Sequence, residues 1–428
     1  MSSASSLIVL PTVELATSDA GLRSLGTEWN ELVADSTSPS VFSTWEWIGS
    51  WMETLGSNGA PWVLAARDTR HGRLVGLAPF VIHKRRWRKL LPYRELSFLG
   101  SGTAASDHLD LIVRLGHERS VASALQRAIR RRKDWDVARL DGISPDSPLL
   151  ALLPGEFGPP ETAPITCPYA VLAPNWDQFE AGLGRNLRQN LRRYARQLER
   201  AAPGRVHHHL ASDPEEVRAT LDALIHMHQQ VRTGHDQPGA FRDPRMVQFH
   251  HLVAQRLLQH DRLRLYSLSV AGRLIAALYC LRYRDVVSFY QSGFDRRWGR
   301  FGPGRQLMGH AIRSSIEEGA REFDFLRGDE PYKFQWTKHA RTDLLVEAAW
   351  NRWGGAVLTA RRAGRSVRGK VGRRARRTSD QVQPARRSGR PKASSGPVDD
   401  AVQLAAKMGP DKPRRPPPRH PDDRTGAG

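Results

Sequence analysis

Cysteine is scarce in this chain. Cys167 and Cys280 are the only two in 428 residues, far apart and without a ligand-like partner spacing. A disulfide framework is therefore excluded and a structural zinc site is not expected, as in a reducing compartment. Long apolar runs are also missing. Nothing approaches the roughly eighteen residues that would span a bilayer. Leu7 to Leu10 is the only apolar run near the N-terminus; it has no basic region before it and is too short for a signal peptide. A soluble, cytoplasmic protein is the expectation. Acidic charge is in deficit, with 44 Asp and Glu against 65 Lys and Arg, a formal net charge of +21. The deficit is uneven. From Arg352 onward twenty Lys and Arg face six Asp and Glu, so the folded part is expected to be only mildly basic.

What is present suffices for a core: 39% apolar residues and twelve Trp. The length predicts two domains with extras. Residues 1–20 are small and polar and are expected to be flexible. Apolar residues at helical spacing predict helices over Leu22–Val33 and Val41–Leu55, the second with Trp47 and Trp51 on one face. Strand-like pieces follow at Trp62–Ala66, Leu74–Ile82, Leu96–Leu99 and Asp107–Val113, then a helix over Arg119–Arg132 and a strand over Asp136–Leu140. The Pro-rich stretch Pro154–Pro168 reads as a linker or surface loop.

The second half repeats this grammar. A basic helix is predicted over Asp177–Ala201, another from Asp213 to about Arg232, and a third over Pro244–Gln259. A hairpin, Leu263–Val270 and Leu274–Tyr283, turns at Ala271-Gly272. The strand Val286–Phe294, a Gly-rich loop, the helix Gly304–Glu318 and the strand Glu322–Leu326 complete it. The fold class expected is α/β, a mixed sheet with helices. Two related domains in tandem, residues 21–170 and 171–353, would precede an Arg- and Pro-rich tail, 354–428. That tail loses apolar periodicity from about Gly364 and is expected to be disordered.

Chemistry concentrates between Val286 and Lys338. A strand, a loop rich in Gly and Arg, and a helix opening at Gly302-Pro303-Gly304 present loop amides and free helical N–H groups toward one point. Arg296, Arg297, Arg300 and Arg305 add positive charge, so a pyrophosphate is the natural ligand; an ordinary connection has the same outline. Next comes Phe323-Asp324-Phe325-Leu326 and the loop RGDEPYKFQW, which crowds Arg327, Asp329, Glu330, Tyr332 and Lys333 at a strand's C-terminal end. Ligands favour that edge of a sheet. A carboxylate such as Asp329 could take a proton from an attacking amine or hydroxyl, and Tyr332 could return one to a leaving thiolate. Local ion pairs on a solvated loop are the bland alternative.

The order hairpin, strand, Gly loop, helix, strand resembles the acyl-donor half of a GNAT N-acyltransferase. The wording GRLIAALYCLRY, SFYQSGFD, GPGRQLMGHAI and FDFLRGDEPYKFQW is similar to a bacterial subfamily of cellulose-biosynthesis-type acetyltransferases. Its relatives are the Fem-type aminoacyl transferases, which use paired GNAT-like domains. The similarity runs from about Phe42 to Trp350 and is most specific between Leu263 and Trp336. The resemblance implies that Arg300, Gly302, Gly304, Arg305 and Gln306 hold the donor's pyrophosphate. It also places Asp324, Tyr332, Lys333 and Trp336 in a closing motif. Gly299 stands where the general GNAT pattern has Gln or Arg, which leaves coenzyme A, a carrier protein or an aminoacyl-tRNA open as the donor.

His228 falls in a segment, Leu224–Pro244, that resembles the family's His-containing helix, and it is a candidate base or substrate contact. His207–His209 have no carboxylate or Cys at ligand spacing, so no metal is expected. Arg185, Arg188, Arg192 and Arg196 share one helical ridge, which is a solvated face or a grip for an acceptor's phosphates. Tyr290, Asp324, Trp336, Arg188 and Arg192 are the candidate substrate contacts.

The function expected is transfer of an acyl group from acetyl-CoA or another acyl-CoA to an amine or hydroxyl, on a sugar or cell-envelope precursor. Two rivals remain. One is a Fem-type aminoacyl-tRNA-dependent transferase. The other is a non-catalytic protein binding nucleic acid or an anionic membrane surface through its tail, which has no aromatic residue after Trp353 for base stacking.

Overall fold

The computed structural model describes residues 10–132, 134–153, 157, 159–232 and 241–363. The expected disorder of the tail beyond 363 and part of the His228 segment, 233–240, lie outside the described residues. The first half runs β1 (Thr12–Ala16), α1 (Asp19–Ala34), α2 (Trp45–Thr54), β2 (Gly59–Arg67), β3 (Leu74–Trp87), β4 (Leu91–Phe98), β5 (Ile112–Val113), α3 (Glu118–Arg130) and β6 (Val137–Ile143). The second runs β7 (Glu161–Val171), α4 (Trp176–Gly182), α5 (Arg185–Ala201), β8 (Val206–Leu210), α6 (Pro214–Arg232) and α7 (Pro244–Gln259). It continues with β9 (Leu263–Val270), β10 (Arg273–Tyr283), β11 (Val286–Phe294), α8 (Pro303–Glu317), β12 (Glu322–Asp324) and β13 (His339–Ala349). A last helix covers 352–363.

The strands form one continuous mixed sheet in the order β1-β2-β3-β4-β6-β13-β7-β12-β11-β10-β9-β8, with β5 beside β3. Read from either end, the order is the same design. Four antiparallel strands lead to a parallel partner reached through a helix: β1 to β4 and then β6 in the first half, β8 to β11 and then β12 in the second. The two halves then exchange a strand. β7 follows β6 in the chain but pairs with β12, whereas β13 follows β12 and pairs with β6; β7 and β13 join each other over nine register pairs.

Local chemistry explains most of these elements. Ser18, Asn175 and Asp243 cap α1, α4 and α7 by accepting a backbone N–H. The basic stretch expected as one helix over Asp177–Ala201 is two, because Leu183 is extended and Gly184 opens a new helix at α5. Four strands were not foreseen. β1 lies in the stretch expected to be flexible, β7 in the stretch read as a linker, β8 holds the histidine triplet, and β13 follows the closing motif. Conversely, Asp107–Val113 contributes only Ile112–Val113 as strand. The rest is a loop in which Asp107, Leu109 and Leu111 are buried, each 3% exposed or less, and His108 and Asp110 are half-buried.

In the second half the sheet is covered on both faces. Leu278 and Cys280 point into a core shared with α4, α5 and α8. Ala277, Tyr279 and Leu281 alternate into the core shared with α6, α7 and α2, as the pleat requires. That second core is continuous with the first half. Trp47 of α2 meets Phe249 of α7 edge to face, with ring centroids 5.0 Å apart. The buried Glu46 carboxylate takes Arg262 at 2.6 Å and His260 at 3.1 Å from across the junction. Among the described residues no helix is long and apolar enough to cross a membrane.

Candidate active site

The parallel pairing of β11 with β12 is short. It joins Val286 to Glu322, Val287 to Phe323 and Ser288 to Asp324, and then stops. β11 continues to Phe294, while the chain after Asp324 turns away through Leu326, which takes a left-handed φ of 57°. A split therefore opens in the sheet beyond Ser288 and Asp324. Just past its apex the β10–β11 register slips by one, so that Tyr290 is the extra residue of a bulge. Bulges re-aim side chains in this way and recur beside active sites.

The far end of β11 leads to the head of α8. Gly302 adopts φ 57° and caps the helix without any side-chain hydrogen bond. Pro303 has no N–H, and Gln306 N–H reaches Gly302 carbonyl oxygen at 3.1 Å. The N–H groups of Gly304 and Arg305 are thus the free head of α8, with the positive end of the helix dipole behind them. Gly302 is also close-packed: a Cβ there would stand 2.7 Å from the Tyr194 ring of α5. Gly304 has open space, its nearest neighbour for a Cβ being Phe294 at 3.7 Å. Arg305 lines an open groove of about 660 Å³, walled by Leu183, Asn186 and Asn190 around the start of α5 and by Trp336 and Thr337.

The equivalent place in the first half is closed. There the head of α3 carries Glu118, whose carboxylate accepts the Gly116 N–H at 3.0 Å, and these backbone N–H groups hold its pKa below the usual range. A negative charge thus stands at the head of α3, whereas the first turn of α8 carries no acidic residue.

A second cavity, about 290 Å³, lies on the opposite face of the sheet, between the halves. Ser288 and Asp324, the last pair before the split, line it together with His108 and Asp110 from the first half and Arg341 and Asp343 from β13. His108 holds the junction. Its Nε2 lies 2.8 Å from Asp324 and its Nδ1 2.8 Å from Asp343. Burial opposes its charge, yet the two carboxylates raise its pKa to about 10, so it is an imidazolium at neutral pH. Burial likewise opposes the charge of Asp324, but the His108 hydrogen bond and charge outweigh it and the pKa falls below the usual carboxylate range. His108 itself sits at φ 54°, a conformation held by its surroundings. Beside it Arg327 ion-pairs with the buried Asp107 and, at 3.0 Å, with Asp141.

His108, Asp343 and Cys167 bring a ring nitrogen, a carboxylate and a thiol within 4.8 Å of one another, the one such group among the described residues. Both His108 nitrogens are engaged by carboxylates, and burial, then the neighbouring carboxylates, push the Cys167 thiol far up. The arrangement fits an ion-pair cluster rather than a ligand set.

Of the residues singled out from sequence, Arg305 and Trp336 line the groove, Gly302 and Gly304 form the head of α8, and Arg300 lies in the turn just before it. Gln306 is buried there, its side-chain amide donating to Phe301 carbonyl oxygen at 2.8 Å. Arg188 and Arg192 lie on α5 but do not line the groove, and Arg192 is paired with Glu180 at 2.9 Å. Asp329 and Tyr332 are exposed on the loop after β12. Lys333 is buried and ties that loop, donating to Arg327 carbonyl oxygen at 2.6 Å and reaching Glu330 at 3.0 Å. His228 and Tyr290 are on the other face. His228 packs edge to face on Phe241, and Tyr290 donates to Ala104 carbonyl oxygen at 2.7 Å. His108, Asp110, Ser288, Arg341 and Asp343 were not foreseen. The one hint was three polar residues, Asp107, His108 and Asp110, in a stretch otherwise apolar enough to read as a strand.

Residues 185–334 match the family model of an acetyltransferase (GNAT) domain. The chain carries a GNAT-type acyltransferase domain. It is an acyl-transferring enzyme, and the matched segment contains α5, the split between β11 and β12 and the head of α8. Comparison with curated proteins finds no match. Among solved structures, FemX is similar at 10% identity over 76% of this chain and 96% of that one, with a TM-score of 0.54. The C-terminal domain of a putative lysylphosphatidylglycerol synthetase from Agrobacterium fabrum is similar at 12% identity, covering 79% and 95%, TM-score 0.47. A tandem GNAT protein from the clavulanic acid biosynthesis pathway is similar at 12% identity, covering 79% and 98%, TM-score 0.42. The FemX likeness is one of fold.

Proposed function

We propose that the acyltransferase takes its acyl group from an acyl-CoA-type thioester lying along the split, with the donor's phosphates at the head of α8. The acceptor would be an amine or hydroxyl on a sugar or cell-envelope precursor. The observation that carries this reading is the free helix head at Gly304 and Arg305, beside an open groove and at the end of a split strand pair. Its closed counterpart at Glu118 adds support. Arg300 and Arg305 would neutralise the phosphates, and backbone N–H groups along the split would polarise the thioester carbonyl. The loop carrying Asp329 and Tyr332, fastened by Lys333, would close over the donor. Most of the catalysis would be orientation.

Calorimetric titration of the full chain with acetyl-CoA tests this. Saturable binding is expected, and Gly304→Asp should weaken it at least tenfold, or about 1.4 kcal/mol, by placing a carboxylate against the phosphates. Gly304 is the position to change because its space is open. Gly302→Asp would strain the left-handed backbone and strike Tyr194, and so would confuse folding with binding. Unaltered affinity in Gly304→Asp would remove the helix head from the donor site.

A second reading has one observation in its favour. Arg185, Arg192, Arg193 and Arg196 are exposed along α5, whose first turns form the groove wall. A larger polyanionic donor such as an aminoacyl-tRNA would engage that ridge. Failure to bind acetyl-CoA, together with salt-sensitive tRNA binding lost in Arg192→Glu/Arg196→Glu, would favour it.

A further inference from the structure

We propose that the overhanging tip of the β3–β4 hairpin docks the protein on an anionic lipid bilayer, with its cations on the headgroups and Leu90 in the acyl boundary. This is independent of the donor reading above. The placement follows from the strand pairing. β2 accompanies β3 as far as Gly59 opposite His83, and β6 meets β4 at Glu95 and Leu96. Among the described residues, β3 and β4 pair beyond those points only with each other, from Lys84 with Arg94 to Trp87 with Leu91. At about 3.3 Å per residue this overhang carries the tip roughly 13 Å past the flanking strands.

The tip is built of cations. Lys84, Arg85, Arg86, Arg88 and Lys89 are five basic residues in a run of six, and all are exposed. Arg85 pairs with Glu95, and the Arg88 guanidinium lies over the Trp87 ring at 4.8 Å. Lys84, Arg86 and Lys89 have no carboxylate within ion-pair distance among the described residues. The turn itself is made by Arg88 at φ 49° and Lys89 at φ 64°. Two left-handed residues in succession suit Asn-Gly best. A charged pair there carries a conformational cost that turning the chain does not require.

Charge alone would fit a nucleic acid as well; the apolar residues favour the bilayer. Leu90, next in the chain, is 77% exposed, with Trp87 and Leu91 half-buried beside it. A leucine among cations has no apolar partner on a phosphate backbone. At a bilayer it enters the boundary between headgroups and acyl chains while Lys and Arg hold the headgroups. Trp87 is half-buried with Arg88 over its ring, so it is not presented for stacking on a base.

The last helix brings further charge to the same place. Trp353 Nε1 donates to Pro92 carbonyl oxygen at 2.9 Å, and Arg361 lies over the Tyr93 ring and pairs with Glu95. The chain beyond 363 therefore begins beside the hairpin, and its sequence holds seventeen Lys and Arg against six Asp and Glu. A single anionic surface can engage both.

Sedimentation of the full chain with vesicles tests this. Binding is expected with vesicles of phosphatidylglycerol and phosphatidylcholine in equal parts, and not with phosphatidylcholine alone. Each Lys or Arg at an anionic surface contributes about fivefold to affinity. Lys84→Gln/Arg86→Gln/Lys89→Gln should therefore weaken binding roughly tenfold or more at low salt, with the difference shrinking as salt rises. Leu90→Ser should weaken it about tenfold at every salt concentration, because an apolar contact is not screened. All four side chains are exposed, so the thermal unfolding midpoint should not move, which separates docking from folding. Vesicle binding that either variant leaves unaltered would overturn the proposal. So would equal binding to phosphatidylcholine alone, or salt-sensitive binding to duplex DNA with no binding to vesicles.

Discussion

His108→Ala is expected to destabilise the protein by about 3 kcal/mol, at the lower end of what removal of one partner from a buried ion pair costs. The substitution leaves Asp324, 1% exposed, and Asp343, 5% exposed, without the imidazolium they share. Arg341, 3.9 Å from Asp324, compensates only in part. The effect should depend on pH with a definite sign. His108 has a raised folded pKa, so its contribution is complete below its unfolded value near 6.5 and is lost as pH rises through about 10. Asp324 has a lowered folded pKa. Its contribution is present above the ordinary carboxylate range and is lost as pH falls through the folded value. Denaturant unfolding of wild type and variant from pH 4 to pH 10.5 would check this. Their difference should be largest in the middle of the range and shrink at the alkaline end. A constant difference would mean that packing, not charge, accounts for His108.

The second large effect concerns the exchanged strands. The full chain is expected to unfold in one calorimetric transition, with van't Hoff and calorimetric enthalpies in agreement. Cutting between Leu153 and Pro159 should give two fragments that do not fold separately and that regain structure when mixed. The reason is β13. It completes the first half by pairing with β6 over six register positions, although it belongs to the second half of the chain. Without it the backbone edge of β6 is bare, and Val137, Ala138, Leu140 and Ile143, each 0% exposed in the intact fold, lose their cover. The Glu46 ion pair with Arg262 and the Trp47 contact with Phe249 of α7 would be lost as well. Two separate transitions, or a first fragment that folds alone, would show that the exchange adds no cooperativity.

The same strand explains where sequence reading stopped. β7 contains Pro164 and Pro168, and a proline pair argues locally for a loop. The strand forms because its other groups are satisfied: Thr166 and Pro168 carbonyls accept the Gly328 and Phe325 N–H groups, and β13 supplies the other edge. β8 was hidden differently. His207–His209 carry no apolar alternation, and they become a strand only as the last one beside β9. The boundary at Gly184 was legible in principle, since glycine interrupts helices, but the leucine stripe across it was the stronger pattern.

Periodicity and composition by themselves determined the mixed α/β class, the hairpin of β9 and β10 and the Gly-rich approach to α8, and so pointed to the head of that helix as a candidate anion site. These are local properties: spacing of apolar residues, the conformational freedom of Gly302, the missing N–H of Pro303. Tertiary structure alone decided the rest. Asp324 is separated from His108 by more than two hundred positions and Arg341 from Asp110 by more than two hundred, and no periodicity relates residues that only a sheet pairing brings together. The exchange of β7 and β13 sets those pairings. It delivers Asp343 to His108, closes the cavity around Asp110, and puts the first half's loop against the second half's split.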